Sequence, residues 1–126
     1  MSKYLLDTST IIEALRLHNL EAERFLHEKY AGKLCISVIS VAELFSGQSA
    51  QDQEVARYLK YLISGLELIG LDLEAATLAG QLRCNFKISM PDAILAATAL
   101  VGNLQLITHN KKDFAKVPNL KMALVK

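Results

Sequence analysis

The sequence lacks any apolar run approaching the ~18 residues a membrane-spanning helix needs. The longest such run, residues 93–101, is about half that length and reads as a buried helix. There are only two cysteines, Cys35 and Cys84. Both sit in apolar-periodic segments with no CxxC spacing, so reduced core thiols are expected and a disulfide framework is not. The three histidines, His18, His27 and His109, show no zinc-ligand spacing. No glycine-rich phosphate loop is present, and no Ser-His-Asp or Cys-His arrangement presents itself. Repeats, linkers and low-complexity segments are also missing. A single lysine precedes the first acid, Asp7, which argues against a secretory signal and for a cytoplasmic protein. Net charge is only +1, so the chain as a whole is no magnet for polyanions.

The 126 residues are 52% hydrophobic, which suits one compact domain spanning residues 1–126 around one core. The charges are unevenly placed. Residues 1–80 carry seven basic and eleven acidic side chains, whereas residues 81–126 carry seven basic and two acidic ones. A basic rim beside an acidic centre suits a phosphodiester substrate held with a metal ion. Lysines that merely keep a C-terminal surface hydrated would give the same count.

Apolar runs alternate with helical periodicity along the chain. Strands are expected at residues 4–6, 34–39, 66–69, 104–107 and 121–125, from short runs rich in branched residues. Helices are expected from Thr10, where Glu13 completes a capping-box spacing; over residues 22–30, stopped by Gly32; over 40–45, opened by Ser40 and Glu43; over 55–63; over 73–85, capped by Asp72; and from Ser89-Met90-Pro91-Asp92 to Val101. Residues 47–53 read as a loop, and Gly102-Asn103 and Pro118-Asn119 as turns. One helical turn is expected at Lys111-Lys112-Asp113-Phe114. The alternation predicts an α/β, three-layer sandwich: a mostly parallel central sheet of four to five strands, flanked by helices and joined by right-handed crossovers.

Sites in such sheets form outside the carboxyl ends of the strands. Asp7 ends the first strand, in Tyr4-Leu5-Leu6-Asp7-Thr8-Ser9, where a carboxylate has no capping job and costs several kcal/mol if left unpaired and buried. Glu43 is expected in the first helical turn after strand two, Asp92 opens the helix leading into strand four, and Asn110 and Asp113 follow strand four. Each of the later ones has a plainer reading: Glu43 and Asp92 each fall three residues after a serine and can close capping boxes, and Asp113 can be the partner of an Asn110 cap. The combination is more specific than any member. Two carboxylates ~4 Å apart repel by roughly 4 kcal/mol at an effective dielectric of 20, so several in one pocket take up protons or a cation. An oxygen-only ligand set with no histidine or cysteine favours Mg²⁺ or Mn²⁺. The chemistry this points to is metal-assisted phosphodiester hydrolysis with water as nucleophile, at one ion or two.

Four segments, Leu5-Leu6-Asp7-Thr8-Ser9, Ser40-Val41-Ala42-Glu43-Leu44, Pro91-Asp92-Ala93-Ile94-Leu95-Ala96-Ala97 and Ile107-Thr108-His109-Asn110-Lys111-Lys112-Asp113-Phe114, resemble in order and spacing the PIN-domain nucleases, and among them the VapC-type toxins of toxin–antitoxin pairs. The resemblance runs from residue 3 to about 125. It implies a Mg²⁺- or Mn²⁺-dependent endoribonuclease, usually a homodimer, silenced by a cognate antitoxin whose tail enters the active-site groove. Asp7, Glu43 and Asp92 would match the three central acids, Thr8 or Ser9 would support Asp7, and Thr108 would match the hydroxyl after strand four. The chain departs from the pattern at Asn110, where many relatives carry a fourth acid; Asp113, one helical turn on, is the candidate substitute, and the departure bears on a second metal more than on the first.

Three other readings differ in kind. A PIN nuclease with a housekeeping role in RNA processing would share the chemistry and lack the antitoxin. A phosphotransferase with Asp7 as nucleophile would need a second acid two residues later, where Ser9 stands. A non-catalytic PIN-fold binding module would keep Asp7, Glu43 and Asp92 for no purpose, against their mutual repulsion.

Overall fold

The computed structural model describes residues 3–16 and 32–123. Four strands, β1 (Tyr4–Leu6), β2 (Leu34–Ser37), β3 (Glu67–Ile69) and β4 (Gln105–Ile107), form one sheet in the order β3-β2-β1-β4, and every pairing is parallel. The helices are α1 (Thr8–Arg16), α2 (Val38–Ser46), α3 (Gln53–Ser64), α4 (Leu73–Asn85), α5 (Met90–Val101) and the single turn α6 (Lys111–Phe114), with a short 3₁₀ segment at Gln48–Gln51 inside the expected loop.

Strand alternation builds the layers. Leu5 lies beside Cys35 and Leu106 in register, and all three enter a core with Leu82, Leu95 and Phe114, under α4 and α5. One residue on, Leu6 lies beside Ile36 and Ile107, and these enter a second core with Ile11, Leu44 and Leu59, under α1, α2 and α3. A parallel sheet covered on both faces needs continuous apolar strands, which is what Tyr4-Leu5-Leu6 and Leu34-Cys35-Ile36 supply. Helix α5 is central, and its small side chains let it pack closely: Ala93, Ala96, Ala97 and Ala99 are all inaccessible to solvent.

The structure corrects several expected boundaries. Strand β2 stops at Ser37, not at residue 39, because the Ser37 hydroxyl accepts from the Ile39 N–H at 3.2 Å and starts α2 at Val38. The branched pair Val38-Ile39 therefore begins a helix despite its strand propensity. Ser40 is then inside the helix rather than at its cap, and its buried hydroxyl has no hydrogen-bond partner among the described residues. Helix α1 begins at Thr8, not Thr10; the Thr10 hydroxyl instead donates to the Ile107 carbonyl at 3.2 Å and ties α1 to β4. In the region expected as a fifth strand, Met122 forms an isolated parallel bridge with Leu106, and residues 124–126 lie outside the described residues. So does the helix expected over residues 22–30. Gly32, at its expected end, has φ +71°, a left-handed conformation suited to glycine. Asn103 and Asn119 take the same region in the two expected turns.

Candidate active site

The order β3-β2-β1-β4 makes the chain reverse its direction of sheet growth between β1 and β4, the switch point at whose carboxyl ends parallel α/β sheets form their binding crevices. Asp7 follows β1 directly, with its backbone N–H bonded to the Ile107 carbonyl of β4 at 2.9 Å. It is 6% exposed. Two hydroxyls offset that burial. Thr108, fully buried after β4, donates to Asp7 Oδ2 at 2.6 Å, and Ser9 donates to the same oxygen at 2.9 Å. Among the described residues no side chain donates to Oδ1, so one oxygen of the carboxylate is held and the other is left for a ligand. The hydroxyls are themselves held: Thr108 Oγ1 accepts from the Asn110 N–H at 2.9 Å, and Ser9 Oγ from the His109 N–H at 3.3 Å. His109 enters the network through its backbone alone.

Glu43 falls in the second turn of α2, because that helix is capped by Ser37, three residues before the expected Ser40. This removes the capping alternative, and the carboxylate instead accepts a hydrogen bond from Thr8 Oγ1 at 3.0 Å. Of the two hydroxyls expected to support Asp7, Ser9 does so and Thr8 supports Glu43. Asp92 is the third residue of α5, and its backbone N–H is capped by Ser89 Oγ at 3.3 Å. Its cap is therefore real, and its carboxyl is also inside the acidic crevice. Burial pushes the Asp92 carboxyl above the usual carboxylate range, as does the charge of Asp7; a hydrogen bond with Ser89 works against them, and Asp113 and Glu43 add smaller upward pushes. Asp7, Asp113 and Glu43 thus each act on Asp92.

Asn110 occupies the cap position of α6 but makes no side-chain cap. Its amide donates to Asp113 Oδ2 at 2.9 Å, and Lys116 Nζ stands 3.7 Å from Asp113 Oδ1. Lys116 also donates to the Lys87 carbonyl at 2.9 Å. Its bridging position was not read from the sequence, although its i,i+3 spacing from Asp113 is a recognisable signal.

Among the described residues no basic side chain forms an ion pair with Asp7, Glu43 or Asp92. Nor do any three His, Cys, Asp or Glu side chains there converge at coordination distance on one point. The fit to a divalent cation is therefore one of charge and donor type: uncompensated carboxylate oxygens in a half-buried crevice, with no nitrogen or sulfur ligand among them.

The PIN domain family model matches residues 4–120. Among curated proteins, the chain is 30% identical to ribonuclease VapC2 of Haemophilus influenzae, over 96% of each chain. It is 27% identical to the tRNA(fMet)-specific endonuclease VapC of Salmonella typhimurium, over 97% of each. Among solved structures, a toxin–antitoxin complex from Klebsiella pneumoniae contains a chain that superimposes with a TM-score of 0.80 at 27% identity, covering 98% of this chain and 100% of that one.

Proposed function

The chain belongs to the PIN-domain family, and from that premise we propose that it is a divalent-metal-dependent endoribonuclease, the toxin half of a toxin–antitoxin pair. The observation that carries this reading is that Asp7, Glu43 and Asp92 come together at the sheet's switch point with no basic side chain among the described residues paired to them. A bound Mg²⁺ or Mn²⁺ would supply Lewis-acid polarisation of the phosphoryl group and acidify a water molecule.

The side chains do the rest. Ser9 and Thr108 hold Asp7 through Oδ2, so that its carboxylate is ordered before an ion binds. Thr8 does the same for Glu43. Asp92, with Asp7, supplies the negative charge that draws in the ion. Asp113 is a weaker participant, since Asn110 and Lys116 already engage its two oxygens; we assign it an indirect role, such as holding a metal-bound water.

RNA as substrate is supported by the names of the relatives, a ribonuclease and a tRNA(fMet)-specific endonuclease. A cognate antitoxin is supported by the Klebsiella pneumoniae complex, and a homodimer by the family likeness alone. No helix of the described residues is long and apolar enough to cross a membrane, and we place the protein in the cytoplasm with its substrate. The test is cleavage of total cellular RNA by the purified protein. Cleavage is expected to stop in EDTA and return with Mg²⁺ or Mn²⁺, and cleavage indifferent to EDTA would overturn the metal mechanism. Co-purification with the product of a small adjacent reading frame separates the toxin from a housekeeping nuclease.

A further inference from the structure

The end of α4 and the loop leading to α5 form an open surface depression of about 530 Å³, lined by residues 83–89. It adjoins the acidic crevice through Ser89, which lines the cavity and also caps the helix that carries Asp92. Two of its lining side chains, Arg83 and Lys87, are exposed cations. Phe86 lies between them in sequence, half-buried and packed against the core on one side. Asn85 and Ser89 add neutral hydrogen-bonding groups. None of these residues takes part in the carboxylate network except Ser89.

We propose that this cavity is a nucleotide subsite, holding one base and its flanking phosphates next to the scissile phosphate; the inference rests on the nuclease reading of the neighbouring crevice. The composition matches that ligand class. Single-stranded RNA is gripped by cations on the phosphates and by an aromatic face on an unstacked base, with polar groups at the base edge. A volume of this size accommodates a nucleotide.

The loop is pre-organised for the task. Arg83 Nη1 donates to the Ile88 carbonyl at 3.3 Å, leaving four other guanidinium N–H groups. Lys116 Nζ clamps the Lys87 carbonyl at 2.9 Å, and the Phe86 N–H bonds to the Leu82 carbonyl at 2.9 Å. Lys116 also faces Asp113, so the same side chain connects the cavity wall to the acidic centre. A cationic wall beside uncompensated carboxylates separates the two tasks: the wall supplies affinity for the strand and the carboxylates recruit the ion.

Cys84 provides a direct probe, since it is an exposed thiol on the cavity wall whereas Cys35 is buried. In Asp92→Asn protein, which should hold RNA without cutting it, a single-stranded oligoribonucleotide is expected to slow alkylation of Cys84 severalfold. In the otherwise wild-type enzyme, Arg83→Ala with Lys87→Ala is expected to raise KM for RNA by roughly tenfold, the loss of one or two charge-assisted phosphate contacts. It is also expected to flatten the salt dependence of binding by about 0.7 per contact removed. The charge-keeping pair Arg83→Lys with Lys87→Arg should restore most of the affinity.

Unchanged KM, salt slope and Cys84 labelling in an enzyme that still cleaves RNA would overturn the subsite and leave the nuclease reading standing. Protection of Cys84 by an acidic peptide or the antitoxin but not by RNA would assign the cavity to a protein partner and likewise overturn it. Protection by RNA in a protein whose wild-type form cleaves none would support the subsite while removing the nuclease.

Discussion

The two ends of the sheet handle charge in opposite ways. At the amino ends of the strands, Lys3 and Glu67 form an ion pair at 2.6 Å, and Glu67 Oε2 also stands 3.9 Å from Cys35 Sγ. Burial, and then the charge of Glu67, raise the Cys35 thiol pKa, so this cysteine stays protonated and unreactive. There, Lys3 and Glu67 answer each other's charge. At the carboxyl ends, Asp7 and Glu43 are held by hydroxyls, and among the described residues no cation pairs with them or with Asp92. Hydroxyls orient a carboxylate without neutralising it, whereas a lysine does both. The Lys3–Glu67 pair is therefore compensated, and the carboxyl end keeps a charge deficit that a metal ion can meet.

Substitution at the two ends is expected to separate these roles. The largest effect belongs to Asp7→Asn, which keeps the shape and the hydrogen bonds but removes the charge. RNA cleavage is expected to fall by about a thousandfold or more, since a site that polarises phosphate through an ion contributes several kcal/mol to the barrier. Retained cleavage would mean that Asp7 is structural and that the contrast between the two ends has no bearing on catalysis.

Asp113→Ala is expected to cost less than Asp7→Ala, on the order of tenfold, because Asn110 and Lys116 already occupy its oxygens. Equal losses in the two variants would make Asp113 a direct ligand and draw the boundary of the acidic centre one helical turn further out.

A smaller effect tests the deficit as a stability cost. The folded pKa of Asp92 lies above its unfolded value, so the native state holds this proton more tightly than the unfolded chain does. Stability of the metal-free protein should then fall as pH rises from the ordinary carboxylate value through the raised one, with the full deficit present above it. Asp92→Asn should accordingly raise Tm at pH 7 in EDTA by roughly 2–4 °C, a change of under 1 kcal/mol, and the gain should vanish below pH about 4. A lower Tm at pH 7 would show that the carboxylates do not repel one another enough to matter.

The smallest effect is at the other end. Lys3→Met removes an exposed ion pair and should shift the unfolding midpoint only slightly, in a salt-dependent way, with RNA cleavage unaffected.

Much of this was legible in the sequence because it is local. The apolar runs at Tyr4-Leu5-Leu6 and Leu34-Cys35-Ile36 specify buried parallel strands through hydrophobic patterning alone. Ser89 with Pro91 announces the start of α5 through hydrogen bonds and proline geometry that reach no further than one turn. Asp7 stood out because a carboxylate at a strand end has no local partner. Where the local signal misled, a nearby competitor had won: Ser37 capped α2 before Ser40 could, so Glu43 was displaced from the first turn to the second.

What depended on tertiary structure was pairing across distance. That Thr108 bonds Asp7 across 101 positions, that Thr8 turns to Glu43 while Ser9 turns to Asp7, and that Lys116 joins the Lys87 carbonyl to the Asp113 side are consequences of strand order. Sequence by itself determined which residues carry charge and which segments bury themselves, since propensity and hydrophobicity are properties of single residues and short windows. Only the β3-β2-β1-β4 order decided which charges were answered by a lysine and which by hydroxyls, because a Coulomb or hydrogen-bond partner is set by distance in space, and the chain fixes that distance only once the sheet has closed.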